Sequence, residues 1–249
     1  MNDLVRVAMV EAGETAESLA ERIGVDPKTA ARWVRPGAVP QTRHRAAVAR
    51  ALGRGIGDLW PEVLRPREPA WFRPWADLER EATSLRSFQP SVLPGLLQTE
   101  GYAHAVLSSG PLANDEVEGY VAARLARQAA VFDRAHPPLT VFVVDEAALR
   151  RGDPEVMHAQ LDHLIAVAER PCVLLHILPL RAGFHPGQAG AFVIASLADA
   201  DDLGYLDDQA AGRITQDVAP LWRVWDTVRS VALPRDQSIQ LLKGREWLR

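Results

Sequence analysis

Residues 14–40 read ETAESLAERIGVDPKTAARWVRPGAVP, and the order of caps and breakers in that stretch decides the fold of the N-terminal part. Thr15 can cap a helix over residues 16–23, whose Leu19, Ala20 and Ile23 fall at inward spacing and which stops at Gly24. Asp26 is an N-cap candidate and Pro27 fits the first helical position, where its missing N–H costs nothing, so a third helix is predicted over about residues 27–35 and ends at Pro36-Gly37. Working outward, residues 4–12 form a first helical segment closed by Gly13. Residues 42–52 form a fourth with a nearly continuous Ala/Val/Leu face closed by Gly53, and residues 56–63 read as a short fifth. Four or five short helices with a tight glycine turn between the second and third are the pattern of a helix-turn-helix domain.

The charge agrees with that pattern only when counted by segment. The whole chain of 249 residues carries a formal charge of -4. Residues 1–66 hold 10 Lys and Arg against 8 Asp and Glu, whereas the remaining 183 residues hold 18 against 24. Between Lys28 and Arg54 there are seven basic residues and no acidic one. A basic run on a small helical domain is the electrostatic footprint of a nucleic-acid contact, although the same run can be a solvated face.

The segment from Glu14 to Pro40 resembles the helix-turn-helix of the xenobiotic-response-element class of bacterial repressors, with its Leu-Ala-Glu-x-hydrophobic-Gly-Val-Ser/Asp-x-x-Thr pattern. The VDPKTAARWV, RHRAAVARALG and LWPEV blocks are similar to a variant common in Streptomyces and other high-GC actinomycetes. The resemblance implies that the third helix enters the major groove by its N-terminal end. It makes Lys28, Thr29 and Arg32 the groove-facing positions, since Lys and Arg can hydrogen-bond a guanine edge and Thr can meet a thymine methyl. Arg35, Arg43 and Arg45 would neutralise phosphates, which position a protein without reading sequence. Many relatives carry a Gln that clamps a phosphate at the start of the second helix; here it is Ala16. Trp33 stands where that class has a large apolar core residue.

Residues 65–76, RPREPAWFRPWA, combine three prolines with Trp71, Phe72 and Trp75 and show neither helical nor strand period, so they read as a junction packed between domains. The expected organisation is a helix-turn-helix domain over residues 1–66, a junction over 67–76 and a second domain over 77–249. In that second domain helices are predicted over residues 76–85, 99–107, 114–135, 153–168, 218–232 and 235–243. Strands are predicted over residues 139–144, 172–178, 191–197 and 203–206, and the strand, helix, strand order of residues 139–178 suggests a right-handed parallel crossover. The fold class expected is an all-α helix-turn-helix domain plus an α+β domain with a roughly four-stranded sheet.

Most of residues 75–243 resembles, in several ordered blocks, the C-terminal domain of unknown function that follows a helix-turn-helix in many Streptomyces regulators. The blocks include WADLEREATSLRSFQPSVLPGLLQTEGYAHAVL, AARLARQAAVF and the stretch from Val143 to Leu180. Such proteins are described as antitoxin-like transcriptional regulators, often encoded beside a small partner protein. The resemblance carries no catalytic motif. The residues offering chemistry in this half are Asp145, His176, His185 and Arg124, read as a candidate effector pocket. Each has a plainer reading. His176 lies in an apolar strand and suits a hydrogen-bonded core histidine, and His185 sits in a glycine-flanked turn. Asp145 can cap the helix that follows it, with Glu146 in the first turn, and Arg124 lies on an amphipathic helix beside Arg127.

His158 and His163 are five apart and miss the i, i+4 spacing of a helical zinc pair, no HExxH, Cys-x-x-Cys, Walker or G-x-S-x-G pattern occurs, and the single cysteine, Cys172, rules out an internal disulfide. No metal and no cofactor is expected. The longest apolar stretches are too short for a bilayer span and no secretory signal is legible, so a cytoplasmic protein without membrane contact is expected. The expected function is a DNA-binding transcriptional regulator: a homodimer on double-stranded DNA, with the larger half sensing a small-molecule effector or a small protein partner. The alternative is an enzyme or small-molecule-binding protein of a biosynthetic pathway whose helix-turn-helix is a structural relic.

Overall fold

The second and third helices begin where their caps put them. The computed structural model describes residues 3–35, 38, 40, 42–60, 69, 71–207 and 211–245. The chain divides into two compact units, Met1–Arg67 with Gly110–Ala122, and Glu68–Ser109 with Ala123–Arg249. The first contains α1 (Asp3–Glu11), α2 (Ala16–Ile23), α3 (Pro27–Trp33), α4 (Thr42–Ala51) and α5 (Ile56–Leu59). Thr15 accepts a hydrogen bond from the Ser18 N–H while the Ser18 hydroxyl accepts one from Thr15 N–H, a reciprocal cap that satisfies two otherwise orphaned donors at the start of α2. Gly24, with φ 73°, ends that helix in the left-handed region. The Asp26 carboxylate then accepts from Lys28 N–H at 2.8 Å and starts α3. Val5, Leu19, Ala20, Ala30, Trp33, Val48, Leu52 and Trp60 form one core, so Trp33 is a packing residue. The predicted break at Pro36-Gly37 and the last part of the helix predicted over 56–63 lie outside the described residues, as does most of the predicted junction up to residue 70.

The second unit is built on a sheet. It holds α6 (Arg73–Glu81), β1 (Ser84–Gln89), α7 (Glu100–Ser108), the second half of α8 (Asn114–Phe132), β2 (Leu139–Asp145), α9 (Glu146–Leu149), α10 (Pro154–Ala168) and β3 (Val173–Leu178). It continues with β4 (Phe192–Ser196), β5 (Leu203–Leu206), β6 (Arg213–Thr215), α11 (Ala219–Val231) and α12 (Arg235–Gly244). The strand order is β3-β2-β1-β4-β5-β6, with β1, β2 and β3 mutually parallel and the β1–β4, β4–β5 and β5–β6 pairs antiparallel.

This corrects the expected fold class: the sheet is six-stranded and mixed, not roughly four-stranded. The two additional strands are β1, where the sequence suggested that a helix ran on to Leu85, and the short β6. β1 reads SLRSFQ, with neither an apolar run nor alternation, yet it occupies a central position with Leu85 on one face and Phe88 on the other. Its Arg86 is accommodated by the Trp222 ring, 4.7 Å from the guanidinium carbon, and by the Ser84 hydroxyl.

Helices cover both faces. On one, Leu85, Phe142, Val144, Leu175 and Ile177 pack with Trp75, Tyr102, Val131, Met157, Leu161, Leu164 and Leu242. On the other, Phe88, Val141, Val143, Leu178, Phe192 and Ile194 pack with Trp225 and Val228 of α11. Trp75 stacks on Tyr205 at 5.0 Å and Phe72 meets the same ring edge-on, so these junction aromatics pack within the second unit, whereas Trp71 is 46% exposed. No helix among the described residues is long and apolar enough to cross a membrane.

Candidate functional site

On α3 the burial pattern separates two faces. Ala30 and Trp33 point into the core, while Lys28 and Arg32, one helical turn apart, are exposed; Thr29 is half-buried between them. Arg35 follows just beyond the helix and is exposed as well. Three of the six candidate nucleic-acid contacts therefore stand as solvated cations. Arg45 does not: it is 8% exposed, and its Nε donates to the Pro40 carbonyl at 2.8 Å, which ties the start of α4 to the preceding loop. The side chain of Arg43 lies outside the described set.

In the second unit, Asp145 ends β2, and its carboxylate serves two elements. Oδ1 accepts from Ala147 N–H at 2.8 Å as the N-cap of α9, and Oδ2 meets His185 Nε2 at 3.0 Å, both side chains being buried. Glu146 holds the same loop from the next position: its Oε2 accepts from Leu180 N–H at 3.0 Å while Oε1 pairs with Arg150. The two adjacent carboxylates thus fasten the 180–185 segment to the end of β2, and neither is free for acid–base work. The loop then passes close beneath α11. A methyl group on Gly187 would stand 2.5 Å from the Phe88 ring and 2.9 Å from Val228, so only glycine fits. His185 packs edge-on against Phe88, and its Nδ1 is buried with no hydrogen-bond partner among the described residues.

His176 lies on β3 opposite Val143, on the same sheet face as Asp145. Its Nδ1 is 2.9 Å from the Leu233 carbonyl, which accepts from it, and its Nε2 is buried with no hydrogen-bond partner among the described residues. Burial pushes the imidazole below its ordinary value of 6.5; the bond to Leu233 opposes this and Arg229 adds to it. Protonation would place a second N–H where no acceptor stands among the described residues, so the setting favours the neutral imidazole of a core histidine.

Arg124 is not brought to the other three. It belongs to a polar cluster over the opposite face, assembled from α6, α8, α10 and the loop at residues 93–99. Glu79 accepts from Trp75 Nε1 at 2.9 Å and from Arg127 Nη1 at 3.0 Å; Glu79 is buried, and the Arg127 side chain is 12% exposed. The Arg127 guanidinium also lies 4.6 Å over the Phe72 ring. Gln128 donates to the Gly95 and Gln98 carbonyls, each at 2.8 Å, and Gln160 donates to Leu97 O while accepting from Thr99 N–H, both at 2.7 Å. Arg124 Nη1 donates to Gln98 Oε1 at 2.5 Å. Burial, and next the neighbouring Arg127, push the Arg124 guanidinium down to about 10, against the opposing pull of Asp207 and Tyr102.

The four residues read as one effector pocket therefore form a fastened loop (Asp145 with His185), a core histidine and a separate basic cluster. Glu79, Gln98, Gln128 and Gln160 were missed. Only Glu79 carried a usable signal, its position four residues after Trp75 on a helix, which sets carboxylate and indole N–H on one face. Among the described residues no group of three or more His, Cys, Asp or Glu could hold a metal ion. Comparison with curated proteins and with solved structures returns no match. The family described as a domain of unknown function, DUF5753, matches residues 72–244, which takes in the sheet, both of its faces and the basic cluster. Since that match spans more than half of the chain, the chain belongs to the DUF5753 family.

Proposed function

We propose that this chain is a DNA-binding transcriptional regulator of the helix-turn-helix class, which lays α3 in the major groove of an operator as a homodimer and uses its DUF5753 unit to sense a small molecule or a small protein partner. The observation that supports this most directly is the two-faced character of α3: Ala30 and Trp33 inside, Lys28 and Arg32 outside, with Arg35 exposed just beyond. A helix anchored by its apolar face and presenting exposed cations suits a polyanion, because phosphates supply affinity and base edges supply specificity. A single small module gives modest affinity, so a two-fold-related operator follows. A ligand that favours one DNA-competence state over the other would then switch the output by linkage.

The test is selection of bound duplexes from a random library by the full-length protein at two salt concentrations. The expected result is an enriched inverted repeat whose affinity falls by about 0.9 log units per log unit of salt for each phosphate neutralised. Lys28→Ala or Arg32→Ala should weaken binding by about 1–3 kcal/mol if the residue reads a base, or flatten the salt slope by about one if it meets a phosphate. No enrichment from folded protein would overturn the reading and leave the DUF5753 unit as the working part.

A further inference from the structure

Arg124 and Arg127 leave the second half of α8 one turn apart, and both guanidinium groups reach Gly95. A methyl group built on that glycine would stand 2.4 Å from Arg127 Nη2 and 3.6 Å from Arg124 Nε. Two cations thus converge on one point of the 93–99 loop, where a side chain would have blocked them. Their compensation differs. Arg127 has a buried carboxylate, Glu79, at 3.0 Å. Arg124 has no carboxylate within ion-pair distance among the described residues, and its one hydrogen bond goes to the neutral amide of Gln98. That amide is itself fixed, because Gln98 Nε2 donates to Leu93 O at 2.7 Å.

The surroundings add a second donor. The Tyr102 hydroxyl accepts from Leu93 N–H at 3.2 Å, but its own proton has no acceptor among the described residues, although the side chain is buried. Arg124 and Arg151 are the charges that bear on this hydroxyl, and burial holds its pKa above the ordinary 10.0. A largely desolvated guanidinium with no carboxylate at ion-pair distance is costly, whereas a bound oxyanion would accept its remaining N–H groups and relieve that cost. Asp207 attracts Arg124 without an ion pair between them among the described residues, and so offsets only part of that cost.

We propose that Arg124 anchors a binding site for a small oxyanion, the carboxylate or phosphate group of a small molecule, with the Tyr102 hydroxyl as its second donor and Gln98 fixing the guanidinium. This names the chemical class of the effector in the regulatory reading and rests on that reading for its purpose, while its geometry lies wholly within the DUF5753 unit.

The experiment is thermal denaturation of the full-length protein at constant ionic strength in inorganic phosphate, in acetate and in chloride, for the unaltered chain, Arg124→Gln and Tyr102→Phe. The expected result is a melting temperature raised by at least roughly 2 °C over chloride by phosphate or by acetate, lost in Arg124→Gln and reduced in Tyr102→Phe. The more effective anion tells a phosphate ligand from a carboxylate. In chloride, Arg124→Gln should melt at or above the unaltered protein, since it removes a charge that has no carboxylate at ion-pair distance among the described residues; a purely structural arginine would give a fall. Absence of any anion-specific rise in the unaltered chain, or an equal rise in Arg124→Gln, overturns the site. If Arg124→Gln does not fold, an undiminished rise in Tyr102→Phe overturns it. A failed duplex selection beside a positive anion shift would remove the DNA reading and leave this site standing.

Discussion

The two units place positive charge in opposite settings. In the helical unit Lys28, Arg32 and Arg35 are exposed cations, whereas in the sheet unit Arg124 and Arg127 are drawn among buried polar groups. Exposed cations act through water and salt, with a screening length of about 8 Å at physiological ionic strength, so each contributes little and many must add up against an extended anion. A desolvated guanidinium acts strongly on a single partner and is costly without one. One setting suits a long polyanion read by many weak contacts, and the other suits one small group held by few strong ones.

That contrast can be broken most sharply at Glu79. Glu79→Ala takes the carboxylate from a largely desolvated Arg127 and an acceptor from Trp75 Nε1, so a loss of about 3–5 kcal/mol is expected in urea denaturation. A loss comparable to that of a surface pair, under about 1 kcal/mol, would show that the cluster is open to water.

A smaller effect is expected on acidification. His176 and His163 both have pKa values below the ordinary 6.5, burial being the first cause in each. As pH falls through 6.5 the unfolded chain takes up protons before the folded one. The stability they contribute is therefore whole above about pH 6.5 and declines as pH drops towards their folded values. The urea midpoint should fall between about pH 7.5 and pH 5.5, and less so in His176→Asn, which keeps a donor for the Leu233 carbonyl. A flat profile would mean that neither imidazole is held neutral. The smallest effect is expected on the exposed side, where Arg32→Ala should change stability by no more than about 0.5 kcal/mol while altering duplex binding.

Local signals made much of this molecule legible. Thr15, Asp26, Thr99, Asp145 and Asp153 each accept a bond from a backbone N–H two or three residues on, an interaction contained within one short stretch. The apolar strands β2 to β5 were legible from their composition. What escaped depended on partners far along the chain. β1 is a strand because β2 and β4 flank it, and its own residues carry no period. The bond from Asp145 to His185 joins two residues that were each singled out, but nothing local links them. Glutamines such as Gln98 and Gln160 read as surface residues until the loop they fasten is seen.

The central position of β1 has a consequence for synthesis. Among the described residues it is the first strand to leave the ribosome, yet its antiparallel neighbour pairs Ser84 with Ser196. At about 5–20 residues per second, roughly 6–22 s pass before that partner is made. During this interval a bare strand edge can recruit another nascent chain. The polar residues Ser84, Arg86, Ser87 and Gln89 keep the waiting segment from being an adhesive one, as gatekeepers do beside hydrophobic strands. The polarity that hides β1 from periodicity thus protects the chain until the sheet can close around it.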